Sequence, residues 1–96
     1  MRALPHFQTW AVRVSRAHSQ EALDGLMDAW YEGVKAGGGV QKAAGFTSSM
    51  EARDWVGAKR TIELAYGRSS LNHRNTLDTL SAAIISKRML GRATPC

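Results

Sequence analysis

One cysteine, no run of apolar residues longer than a few positions, and no acidic residue before Ser19 are the chain's first distinguishing features. The lone thiol, Cys96, has no partner for an internal disulfide, which excludes a disulfide-stapled secreted scaffold. The apolar run Ala82 to Ile85 is far short of a membrane span. His6, His18 and His73 have no second histidine or cysteine at helical ligand spacing, which argues against a zinc site. Ser69 and Ser70 lie close to His73, but a catalytic triad is defined by spatial geometry, and no carboxylate or histidine is singled out for acid–base work. The chain also lacks internal repeats and low-complexity segments. The expectation is therefore a protein that is not an enzyme, with no cofactor and no metal.

The absence of acids among residues 1–18, with Arg2, Arg13 and Arg16 present, has the flavour of a transit peptide. Removing that segment would take Phe7 and Trp10 from a small core, so a cytoplasmic protein is the expectation. Ninety-six residues allow a single domain able to fold without staples.

The net charge of +5 is unevenly spread. Residues 1–18 carry +3, residues 19–36 carry −3, residues 37–58 balance, and residues 59–96 carry +5. Such asymmetry bears on partners rather than on fold.

The clearest element is Ser19 to Gly39. Ser19 is a good N-cap, and Glu21 and Asp24 complement the helix dipole. Leu23, Leu26, Met27, Trp30 and Val34 share one face at spacings of three and four. Glu21, Asp24, Asp28 and Glu32 share the opposite face and read as a solvated surface rather than a cation site. Gly37, Gly38 and Gly39 supply a helix stop. The run Gly37 to Ala43 is not a phosphate loop, because Ala43 follows Lys42 and a helix rather than a strand precedes it.

The expected fold is an all-α bundle of about four helices, over approximately 5–17, 19–36, 48–66 and 73–90. In the first, Pro5 suits the opening turn and Leu4, Phe7, Trp10, Ala11 and Val14 share a face. The third opens on a capping box, Ser48 with Glu51, and buries Trp55, Ala58, Ile62, Ala65 and Tyr66. Arg53 and Arg60 fall on its outer face. Gly57 weakens its middle unless close packing requires it. In the last helix Leu77, Leu80 and Ile84 form one stripe, while Ala82, Ile85 and Met89 fill an adjacent face, a breadth that implies more than one neighbour. Gly91 is the expected stop. The alternative is an α+β fold with strands near 9–15 and 60–66, because Trp10, Val12 and Val14 alternate and Gly57 offers a break.

Val40 to Trp55 is a weak match to a helix-turn-helix: its first helix is too short, and Glu51 occupies a position that should be apolar. Residues 67–76 form the longest polar stretch. Their arginines, asparagines, serines and histidine suit phosphate oxygens or an acidic partner.

Two functional classes follow. The first is a nucleic-acid-binding accessory protein, in the style of a phage or mobile-element protein, making sequence-independent phosphate contacts. The second is a protein-interaction module whose basic and aromatic surface meets an acidic protein. In either, the candidate binding residues are Arg53, Arg60, Arg68, His73, Arg74, Lys87 and Arg88. A homo-oligomer is a further expectation from the broad apolar surface of the last helix. No membrane partner is expected.

Overall fold

A computed structural model describes residues 6–37 and 42–93, and every regular element among them is helical. The elements are α1 (His6–Ser15), α2 (Gln20–Gly37), α3 (Phe46–Glu51), α4 (Trp55–Tyr66) and α5 (Arg74–Ala93), with a 3-10 turn over Leu71–His73 leading into α5. The all-α expectation holds, and both segments considered as strands lie in helices. In α1 the inward side chains are Trp10, Ala11 and Val14, while Val12 faces out, which is helical rather than alternating placement. Leu4, Pro5 and most of the glycine run lie outside the described residues.

α2 forms as its sequence dictates. The Ser19 hydroxyl accepts the Ala22 N–H at 3.0 Å, satisfying one of the amides that a helix start leaves unpaired. Leu23, Met27 and Trp30 are buried, and Leu26 and Val34 pack against the core from its edge. Tyr31 is buried as well, and its ring meets Phe46 edge-on at 5.9 Å between centroids. On the outer side Glu32 bonds Lys35 at 2.9 Å, which raises the lysine's pKa above its ordinary value.

The expected helix over 48–66 is two helices. α3 ends in a reciprocal pair of backbone bonds, Asp54 N–H to the Ser49 carbonyl and Arg53 N–H to the Met50 carbonyl. That pattern is a Schellman stop, in which one residue takes the left-handed conformation. Here it is Arg53, with φ of 57°, where glycine is usual. Asp54 immediately caps α4 by accepting the Gly57 N–H at 2.9 Å. No glycine or proline marks this junction, although the apolar spacing lapses there, since Arg53 and Asp54 stand three and four residues after Met50. Glycine at 57 has a local reason: a Cβ there would overlap the Asp54 carboxylate that caps the helix. The proposed capping box at Ser48 does not form. Gly45, with φ of 88°, precedes α3 instead, and Ser48 lies inside it.

α5 starts at Arg74, within a residue of the expected start, after a 3-10 turn that Ser70 precedes without capping it, its hydroxyl turned to His73. The other boundary differs from expectation. At its far end α5 passes through Gly91 to Ala93, since glycine in a helix costs about 1 kcal/mol without forcing a stop.

The core joins Val14, Leu23, Met27, Trp30, Phe46, Met50, Trp55, Ala58, Ile62, Leu77, Leu80 and Ala83. α5 is the hub, packing against α1, α2 and α4; α2, the plainest helix in the sequence, contributes large side chains but fewer neighbours. The inward face of α5 includes Thr76, Thr79, Ala83 and Ser86, all buried. These small residues let neighbouring helices approach closely. The Cα envelope measures 39 × 37 × 23 Å. One side of α5 is left uncovered by the neighbouring helices. Ile85 and Met89 are 60% and 61% exposed there.

Candidate basic interface

α4 and α5 form an antiparallel hairpin joined by residues 67–73. This brings the first turns of α4 beside the later turns of α5. Between them runs a groove of about 420 Å³, lined by Val56, Lys59, Arg60, Glu63, Ser81, Ile84, Ile85 and Arg88. Its floor is aliphatic, with Val56 47% exposed, and Ile85, 60% exposed, stands at its edge. Its walls are cationic. Lys59 is partly neutralised by Glu63 at 3.5 Å, whereas neither Arg60 nor Arg88 is in an ion pair among the described residues. Arg88 also lines an adjoining hollow of about 280 Å³ with Lys87, Asp54, Trp55, Val56 and Ile84. Arg60, Lys87 and Arg88 are thus gathered along one side of the hairpin.

The other candidates are placed elsewhere. Arg53 is not on the outer face of α4; it occupies the α3–α4 junction and binds Asp24 at 2.6 Å and Asp28 at 3.0 Å. The acidic face of α2, read from the sequence as a solvated surface, therefore holds one of the basic residues. Lys87 reaches the Arg53 carbonyl at 3.5 Å, linking this internal charge cluster to the end of the groove.

Arg68, His73 and Arg74 cluster around the turn of the hairpin. Arg68 is exposed in the bend that follows Gly67, whose φ of 96° ends α4. The His73 ring stacks on Tyr66, with centroids 3.9 Å apart and planes 13° from parallel. Ser70 Oγ lies 3.0 Å from His73 Nδ1. This is a local brace across the turn, made between residues three apart. Arg74 lines a different groove, between α1 and α5. Arg74 and Arg88 are fourteen residues apart on one helix, which is about 21 Å at the helical rise. The seven candidates therefore divide into an internally paired arginine, a groove cluster and a turn cluster.

Sequence reasoning missed Lys59 and Val56 as groove residues and assigned Ile85 to an apolar face awaiting a neighbour. The available signal was the short α4–α5 connection, which makes the two helices an antiparallel pair. Of the tryptophans, Trp55 is buried, with its indole N–H without a hydrogen-bond partner among the described residues. Trp10 is half-buried, with the Arg13 guanidinium 5.3 Å from its ring. No helix among the described residues is long and apolar enough to cross a membrane. Comparison with protein-family models, with characterised proteins and with solved structures finds no match to this chain.

Proposed function

We propose that the protein is a non-enzymatic interaction module whose α4–α5 groove takes an acidic, amphipathic helix from a partner protein. The observation that carries this reading is the pairing of an aliphatic floor, Val56 and Ile84 with Ile85 at its edge, with Arg60 and Arg88, cations in no ion pair among the described residues. A partner helix docks apolar residues on such a floor and directs carboxylates to such a rim. Phosphate contact needs the cations but not the floor. The engagement of Arg53 with Asp24 and Asp28 further reduces the charge available for a sequence-independent nucleic-acid surface.

Affinity capture after nuclease treatment tests the reading when wild type is compared with Arg60→Glu/Arg88→Glu and with Val56→Asp. The expected result is a stoichiometric protein partner lost in both variants, with an acidic amphipathic segment in its sequence. If a labelled DNA or RNA duplex or single strand instead binds at low salt, is lost on the charge reversals and is indifferent to Val56→Asp, phosphate contact is the function and the groove reading is wrong.

A further inference from the structure

The uncovered side of α5 carries a second groove, between α1 and α5, of about 1070 Å³. Val12, Ala82, Ile85 and Met89 give it an aliphatic lining, and three of them are exposed large side chains: Val12 at 45%, Ile85 at 60% and Met89 at 61%. Clustered aliphatic side chains of this kind are available to a partner surface. Ile85 lines this groove and the α4–α5 groove alike, so it forms a crest between two hollows. A crest beside a hollow is a shape that can pack against its own copy, ridge into groove.

The charges on α5 specify how. Asp78, Ile85 and Arg92 succeed one another at heptad spacing and therefore share one stripe. Asp78 and Arg92 are exposed, and neither has an ion-pair partner among the described residues. In a parallel α5–α5 pairing, Asp78 would face Asp78 and Arg92 would face Arg92. In an antiparallel pairing centred on Ile85, each Asp78 lies opposite the Arg92 of the second copy, and each Ser81 lies opposite a Met89. The small Ser81 and Ala82 leave space for the larger side chains of the other copy.

We infer that a second copy of this chain covers the α1–α5 groove, the two α5 helices running antiparallel about a two-fold axis at Ile85. α1 and α5 of each copy then make a four-helix arrangement. Lys59, Arg60 and Arg88 stay outside this contact, but Ile85 is shared with the partner-binding groove, so Arg60→Glu/Arg88→Glu leaves the association intact while Ile85→Asp disturbs both.

Sedimentation equilibrium of the whole chain over about 1 µM to about 1 mM covers the affinity range of a reversible dimer. The expected species has twice the 10.5 kDa mass of the chain. Ile85→Asp raises the dissociation constant by about 100-fold or more, as loss of a central apolar anchor does. Because Ile85 is exposed in the monomer, its circular dichroism and melting remain those of a folded helical protein. Asp78→Arg and Arg92→Asp each weaken association about tenfold by setting like charges opposite each other, and the double reversal Asp78→Arg/Arg92→Asp restores it to within about threefold. A monomer throughout the range overturns the inference. A dimer indifferent to Ile85→Asp overturns the interface. A dimer sensitive to Ile85→Asp but lacking the restoration overturns the antiparallel register.

Discussion

Arg53 grips Asp24 across the fold at 2.6 Å while holding a left-handed backbone conformation with φ of 57°. The two facts oppose each other energetically. A non-glycine residue in that conformation costs about 1–2 kcal/mol, and half-exposed ion pairs return about 0.2–1 kcal/mol each.

Substitutions at this position separate the two contributions. Arg53→Ala keeps the strain and loses both pairs, so its unfolding free energy falls by about 1 kcal/mol. Arg53→Gly loses the pairs but relieves the strain, and it exceeds Arg53→Ala in stability by about 1 kcal/mol. Urea denaturation of the two variants checks the order. Raising salt to about 1 M narrows the gap between wild type and Arg53→Ala, because screening weakens exposed pairs. Equal stability of the alanine and glycine variants would show that the junction is unstrained.

The Asp54 cap and Gly57 form a coupled pair. Asp54→Ala removes a cap worth about 1 kcal/mol. Gly57→Ala on the wild-type chain gains about 1 kcal/mol of helix propensity, but its new methyl displaces the capping carboxylate, so the net change is expected to be small. On the Asp54→Ala chain the same substitution collides with no carboxylate and stabilises by about the full propensity difference. A double-mutant cycle measured by thermal denaturation reads this coupling, and simple additivity would refute it.

The two serines proposed as helix starts are not equivalent. Ser19 caps α2 through its hydroxyl, and Ser19→Ala is expected to cost about 1 kcal/mol. Ser48 lies exposed inside α3, and Ser48→Ala should stay within about 0.5 kcal/mol of wild type. Chemical denaturation midpoints distinguish them.

Trp55 is buried at 2% exposure, and its indole N–H has no hydrogen-bond partner among the described residues. Trp55→Ala empties a large volume and is expected to cost about 3–5 kcal/mol. Trp55→Phe leaves a smaller void and also removes a buried donor whose desolvation costs about 1–3 kcal/mol. These effects nearly offset, so the phenylalanine variant is expected within about 1 kcal/mol of wild type. A loss as large as that of the alanine variant would mean that the N–H is satisfied in solution.

The sequence by itself determined that the chain is helical and where α2 begins. Ser19, the stripe from Leu23 to Val34 and the buried Leu77 and Leu80 are local patterns, and local patterns respond to helical periodicity and capping. It also revealed the basic excess of the second half, since charge is additive along a chain. Three matters were decided only by tertiary structure. The break at Arg53 has no glycine or proline to announce it; the turn is held by backbone bonds and by carboxylates from a helix twenty-five to twenty-nine residues earlier. The basic residues separate into distinct clusters because helix packing, not sequence distance, sets their neighbours. Periodicity marked Ile85 and Met89 as an apolar face, but the fold supplies α5 with partners on only some of its sides, and only the packed molecule identifies the side left open.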